Sequence, residues 1–231
     1  MASAPAPLIP QAFWFRPALN CRRVNGLPRD PRAPGLLLDL DPSCILPTLS
    51  TLEGREPWFE PRAAWNDAGL ALALTAHTDA LQQPTPDPAD PADSSHTVQI
   101  WIDTRDTHDA HRASRFCHRF GIDLRPGRAP GSLEPRITQK NIARALAEPP
   151  RARLDAILAR ASILSRPTGW RLELFFKAEA LNGFEPETNR RLGLLLLVSD
   201  ARHGELFLGG LGREFPIGED PSLWPKLDLI D

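Results

Sequence analysis

The sequence predicts an all-β fold, a β-sandwich carrying one or two short helical turns, on three observations. Short apolar runs with a period of two recur along the whole chain, and together they amount to about nine or ten strands. Proline is abundant, at 25 of 231 residues, and each proline fixes φ and removes a backbone donor, which works against long helices. Strongly polar segments separate the runs, and no window approaches the ~18 uninterrupted apolar residues of a membrane-spanning helix.

Taken in order, residues 1–12 are rich in Ala and Pro and read as a loose arm, so that one sandwich domain is expected over 13–231, anchored first by Phe13, Trp14 and Phe15. Gly26 to Gly35 reads as loop, and the apolar run Leu36 to Leu40 as a short strand closed by Asp41 and Pro42. Phe59 to His77 reads as a hairpin. Its turn is Asn66 to Gly69, after which Leu70, Leu72 and Leu74 alternate with smaller residues. Residues 82–96, QQPTPDPADPADSSH, cannot bury a face and read as a solvated loop. The strongest strand runs from Val98, with Val98, Ile100 and Ile102 on one face and Gln99, Trp101 and Asp103 on the other. Ser114 to Leu124 alternates again, which puts His118 in an apolar row with Phe120 and Ile122. Residues 151–164 fit a helix or a strand, and periodicity does not arbitrate. Trp170 to Lys177 alternates, Ala178 to Leu181 looks like one helical turn, and Leu194 to Val198 is apolar on both faces, as in a strand covered from both sides. Glu205 to Leu208 and Leu227 to Ile230 close the chain.

Composition excludes several functions. With 27 basic and 29 acidic residues and a formal net charge of −2, there is no overall electrostatic reason to bind nucleic acid or an anionic membrane. The opening MASAPAPLIPQAFWF does not read as a secretory signal. Cys21, Cys44 and Cys117 are three widely spaced cysteines and cannot form a complete disulfide framework, so a reducing, cytoplasmic setting is expected. No GxSxG elbow, GxGxxG or P-loop, and no HExxH is present, so no enzyme is expected.

Four stretches carry a resemblance: LPTLSTLEGREPWFEPRAAWNDAGL at 46–70, VQIWIDTRDTHDAHRASRFCHRF at 98–120, GWRLELFFKAEALNGFEPE at 169–187, and RLGLLLLVSDARHGELFLGGLGREFPIGEDPSLW at 191–224. Together they resemble a bacterial group related to family 9 carbohydrate-binding modules and, more distantly, to DOMON domains. The resemblance implies an immunoglobulin-like or jelly-roll sandwich in which 151–164 is a strand. It also implies a sugar held between aromatic faces, and calcium as the one cofactor to be considered. No other cofactor is expected.

The richest polar constellation lies at the end of the strongest strand, across a loop and into the next strand, where binding groups on a rigid scaffold concentrate. It comprises Asp103, Arg105, Asp106, His108, Asp109, His111, Arg112, Arg115, Cys117 and His118, with Trp101 beside them. Arg offers planar donors, Asp accepts from hydroxyls, and Trp101 offers an apolar face. The competing expectation is structural: Asp103 and Arg105 fix strand register, Trp101 is core of a second layer, and His118 is a core histidine bonded to a carboxylate such as Asp103. His108, His111, Cys117 and His118 carry donors suited to zinc, but adjacent Cys117 and His118 point to opposite faces of a strand, so no metal ligand is assigned. Two functions follow. One is a non-catalytic binding module for a carbohydrate or small polar ligand. The other is a structural or protein-interaction sandwich that binds a protein partner and no small molecule.

Overall fold

The computed structural model describes residues 16–49, 58–78, 97–106, 109–128, 132–200, 202–209 and 215–231. The expected N-terminal arm, its Phe13–Phe15 anchor and the 82–96 loop lie outside them. Eleven strands occur among the described residues: β1 Ala18–Arg23, β2 Phe59–Asn66, β3 Gly69–Ala76, β4 Val98–Asp103, β5 Cys117–Pro126, β6 Ser132–Lys140, β7 Ile157–Ser165, β8 Thr168–Lys177, β9 Arg191–Asp200, β10 Gly204–Phe207 and β11 Lys226–Ile230. Four single 3₁₀ turns accompany them, at Pro42–Cys44, Leu154–Ala156, Ala178–Ala180 and Pro221–Leu223, where one or two helical turns were expected.

The strands are joined in the order β9-β11-β1-β2-β3-β8-β7-β6-β5-β4, and β4 pairs again with β9, so the ladder closes on itself. The ring is flattened, because two of its seams are short: β1 meets β2 through two residue pairs and β6 meets β7 through two. Those seams are corners between a layer of β2, β3, β8 and β7 and a layer of β6, β5, β4, β9, β11 and β1. The result is a closed, sandwich-like all-β barrel.

Period-two alternation fills the space between the layers. Leu70, Leu72 and Leu74 of β3 and Leu172, Leu174 and Phe176 of β8 meet Ile100 and Ile102 of β4, Phe120 and Ile122 of β5, and Leu194 and Leu196 of β9 in one core. The β2–β3 hairpin turns where the sequence indicates. Asn66 Oδ1 accepts from Ala68 N at 2.9 Å, and Asn66 Nδ2 donates to Leu27 O at 2.9 Å. Gly69 is required there by close approach, since a Cβ at this position would fall 2.1 Å from Phe176 O.

Both layers are also covered on their outer faces. Over the first, Leu27, Leu37, Leu38 and Leu40 pack on Ala71, Ala73 and Phe175. Leu36 to Leu40 is therefore buried cover and not a strand: the amides of Leu37 and Leu38 donate to the Glu173 carboxylate at 2.8 and 3.3 Å, replacing the neighbouring strand they would otherwise need. Arg160 reinforces this cover by donating to the carbonyls of Pro31 and Ala33 at 2.7 and 3.1 Å. Residues 151–164 resolve into a 3₁₀ turn followed by β7, in line with the strand expected there.

Two strands escape sequence reading. β1 has just Leu19 and Cys21 as buried residues in its alternation, and β6 carries Pro135, with Leu133 its single fully buried residue.

Ile100 and Leu196 are completely buried in the inner core. Replacing either with Ala is expected to lower the unfolding free energy by about 2–5 kcal/mol through the cavity left behind. Denaturant melts test this, and a loss under about 0.5 kcal/mol would mean that these residues do not face a packed interior.

Candidate functional site

The outer face of the second layer is set by strand register. Trp101 on β4 lies between Leu195 on β9 and Arg119 on β5, and Arg119 in turn faces Lys140 on β6. One row along, Phe207, Leu197, Gln99, Gly121 and Thr138 line up across five strands. Outward-pointing side chains thus place an indole, a guanidinium and a primary amide side by side. The Arg119 guanidinium sits 5.1 Å from the Trp101 ring centroid, a cation–π contact. Its Nη2 donates to Gln99 Oε1 at 2.8 Å and its Nη1 to Asn141 O at 3.3 Å.

Above these residues lies a cleft of about 220 Å³, bounded by Trp101, Arg119, Phe207, Phe215, Gly218 and Glu219. Its roof is held by Trp224, whose Nε1 donates to Ile217 O at 2.7 Å. Gly218 permits close approach, since a Cβ there would stand 3.2 Å from Cζ2 of Trp101. Trp101 is only 3% exposed, and its Nε1 is buried without a hydrogen-bond partner. An indole nitrogen can only donate, so the unmet need at this place is for an acceptor.

The polar constellation read from the sequence is divided among several places. Trp101 lines the cleft. Asp103 Oδ1 accepts from Arg105 N at 3.0 Å, and Asp106, with φ of 48°, forms an ion pair with Arg16. Arg105 pairs with Glu185 at 3.0 Å and lies 5.2 Å from the Phe116 ring centroid, with Arg115 at 5.0 Å from the same ring. Asp109 is exposed, and His108 lies outside the described residues. His111 and Arg112 brace the edges of the cleft: His111 Nδ1 is 3.0 Å from Asp220 Oδ2, while Arg112 Nε donates to Arg144 O at 2.7 Å.

His118 faces the opposite way, into the core. The register pairs it with Ile102, whereas Asp103 pairs with Cys117, so Asp103 is not the carboxylate partner expected for it. Its Nε2 stands 3.4 Å from Asn182 O, and its Nδ1 is buried without a partner. Burial drives the imidazole from the ordinary 6.5 down to about 4, against smaller opposing effects of Asn182 O and Asp103. Cys117 is on the outer face, and burial followed by the Asp103 charge pushes its thiol up to about 12. It is a protonated thiol, not a thiolate ligand.

Among the described residues no group of three or more His, Cys, Asp or Glu side chains is placed together. No helix among them is long and apolar enough to cross a membrane.

Arg119, Gln99, Phe207, Phe215 and Glu219 were not singled out from the sequence. The alternation of Ser114 to Leu124 already placed Arg119 on the outward face. What was missing was the register that sets it beside Trp101.

No protein-family model matches the chain, and no curated protein matches it in sequence. Solved structures do share its fold. A carbohydrate-binding module of family 9 from Caldicellulosiruptor kristjanssonii, in complex with cellotriose, superposes with a TM-score of 0.57 at 12% identity, covering 92% of this chain and 93% of that one. A structure of such a module from the same organism in complex with glucose gives a TM-score of 0.54 at 12% identity, with 92% and 95% coverage. The chain therefore has the fold of family 9 carbohydrate-binding modules.

The depressed His118 value fixes a pH dependence. Above pH 6.5 the imidazole is neutral in both folded and unfolded chains. As pH falls from 6.5 to about 4, only the unfolded chain takes up the proton, and stability is lost across that window; below it the contribution is flat. The expected loss is about 3 kcal/mol. Denaturant melts from pH 7.5 to 4.5 should show this fall in the wild type and a shallower one in His118→Gln. An NMR titration in which His118 protonates near pH 6.5 in the folded protein would contradict it.

Proposed function

We propose that this protein is a non-catalytic binding module and that the outer-face cleft takes a carbohydrate or a similarly small polar ligand. The observation that carries the proposal is the cleft itself, which sets the Trp101 indole and the Arg119 guanidinium, 5.1 Å apart, beside Phe207, Phe215 and Glu219. Around it stand the groups that recognition of a sugar uses. Phe207 and Phe215 offer apolar faces for C–H surfaces, Arg119 offers donors, and Glu219 offers acceptors. The fold likeness supports the same role, since both superposed modules were solved with a sugar bound.

His111 and Arg112, from the loop picked out in the sequence, would act here by holding the cleft edges at 220 and 144. Asp103, Arg105, Asp106 and Arg115 belong to the ties of the strand end and contribute to the rim only through it.

A glycan array followed by calorimetry tests the proposal. At least one saccharide should bind with an affinity tighter than roughly millimolar. Glu219→Ala should weaken binding by about 1.5–3 kcal/mol if its carboxylate accepts ligand hydrogen bonds, while the melting temperature stays nearly constant, because its ion pair with Arg144 is long, at 3.9 Å. Gly218→Ala, which intrudes on the indole, should weaken binding likewise. If no saccharide binds and a stable protein partner is found instead, the sandwich serves as an interaction domain and the cleft is not its ligand site.

A further inference from the structure

We infer that the corner between β6 and β7 is a docking surface for an extended acidic segment of a partner protein, one in which carboxylates alternate with aliphatic side chains. This surface is separate from the Trp101 cleft and does not depend on it. The charge of the chain is unevenly divided. Residues 117–166, from β5 to the β7–β8 turn, contain ten basic and four acidic residues, a net charge of +6, whereas the rest of the chain contains 17 and 25, a net charge of −8. Five of the ten basic side chains are engaged. Arg119 bonds to Gln99 and the carbonyl of Asn141, Arg160 to loop carbonyls, and Arg153 to Asp155 and Glu179, while Arg125 and Arg144 stand 3.7 and 3.9 Å from Asp123 and Glu219. The other five, Arg128, Arg136, Lys140, Arg151 and Arg166, have no hydrogen bond or ion pair among the described residues. All are exposed except Lys140, which is half-buried.

Strand pairing sets these five cations along one ridge. β6 has nine residues and is about 27 Å from end to end. At its start Ser132 pairs with Ser162 of β7, which places the β5–β6 turn, with Arg128, next to the end of β7, with Arg166 in the turn that follows. Arg136 and Lys140 alternate on the outward face of β6, where Lys140 faces Arg119. Arg151 stands beside the far end of the strand, on the wall of a cleft of about 450 Å³ that Thr138, Asn141, Pro149 and Leu154 also line. The cleft lies where the two strands diverge. After Leu133 the next residue on the same edge is Pro135, which has no N–H to continue the ladder to β7. Gln139 holds the far wall in place, receiving Ala152 N at 2.6 Å and donating to Pro150 O at 3.2 Å.

Apolar side chains mark the same corner. Among the described residues four large apolar side chains are exposed, Ile45, Leu146, Leu154 and Ile163, and three of these belong here. Leu154 lines the cleft, Ile163 precedes the Arg166 turn on β7, and Leu146 is in the loop that supplies Asn141 and Pro149 to the cleft wall. Single exposed apolar residues are ordinary; aliphatic side chains gathered among unpaired cations mark a surface that meets a partner. The details select a peptide. No exposed Phe or Trp is present among the described residues, so the corner lacks the stacking platforms that a single-stranded nucleic acid uses. The aliphatic side chains are spread along a ridge with a hollow in it, whereas a bilayer presents a flat surface. An extended chain meets both demands, since its side chains alternate in direction: carboxylates on one side reach the Arg and Lys groups, and aliphatic side chains on the other enter the cleft.

The experiment begins with random nine-residue peptides displayed on phage and selected on the full chain. Enriched peptides are then synthesised and titrated by fluorescence anisotropy. They should be net acidic, with Leu, Ile or Val between the carboxylates, and bind with a Kd below roughly 100 μM. Raising the salt from about 50 to 500 mM should weaken binding severalfold, because the charges are exposed. The double variant Arg136→Glu, Arg151→Glu should bind at least tenfold more weakly, as should Leu154→Asp, while Glu219→Ala in the Trp101 cleft stays within about twofold of wild type. Melting curves verify that each variant folds, and Arg136→Gln with Arg151→Gln replaces the charge reversal if that lowers the melting temperature. Failure to enrich any peptide, enrichment of neutral or basic ones, or binding that survives the corner variants overturns the inference. Sedimentation with phosphatidylserine-rich vesicles is run in parallel. Vesicle binding in place of peptide binding, lost in the double variant, would assign the corner to a membrane surface and overturn it as well.

Discussion

The molecule is organised around one strand that has to be covered on both sides. In β9, Leu192 to Val198 are all buried, so the strand needs apolar neighbours above and below it. It also needs partners along both edges to satisfy its amides and carbonyls. β4 supplies one edge, and β11 followed by β10 supplies the other. Closing the ladder at β9 removes the free edges that an open sheet of this size would expose. The inner-facing Leu194 and Leu196 join the main core, while Leu195 and Leu197 look outward and join Trp101, Ile142, Ile217 and Trp224. That second contact shapes the cleft, because the outward leucines have to be covered by loops.

Loop cover behaves differently on the two layers. On the first, Ala71 and Ala73 leave room for Leu37 and Leu38 to seat closely, and a buried carboxylate fixes the loop backbone from below. On the second, the outer face presents the bulk of Trp101 and the length of Arg119. Segments 142–145 and 215–224 pack around those two side chains and leave a cleft between them. Side-chain size on the outward face thus decides whether a loop seals a sheet or leaves a hollow above it.

This explains what could be read from the sequence. Alternation is a local property, so β3, β4, β8 and β9 were legible, down to which face of β4 enters the core. The apolar run of Leu36 to Leu40 looked like a strand because burial, not pairing, selects its residues. β6 was hidden by Pro135 and by partial exposure, as suits a strand that pairs fully on one edge only. Of the cleft residues, Trp101 is placed on the outward face by its alternation, but its neighbours in the cleft come from three other strands and two loop segments, and cross-strand register cannot be read from spacing alone. The conspicuous run of charges after β4 drew attention because it is contiguous in sequence. In the folded chain Asp106 is spent on Arg16, Arg105 on Glu185 and Arg112 on the carbonyl of Arg144.

The outer layer contains an internal control for the importance of the cleft. Two tryptophans, Trp101 and Trp224, are buried in the same apolar cluster, at 3% and 0% exposure. Both indoles carry a donor, and burial imposes the same requirement on each. Trp224 meets it through Ile217 O at 2.7 Å, whereas Trp101, on the cleft wall, does not. A fold that closes one indole with a backbone carbonyl from the adjoining segment has the means to close the other. Gly218 directly follows the carbonyl-bearing Ile217 and lies against the Trp101 ring, on the side of Cζ2 and the indole nitrogen. The same segment thus gives one indole its acceptor through Ile217 O and encloses the N–H of the other at the cleft wall without one.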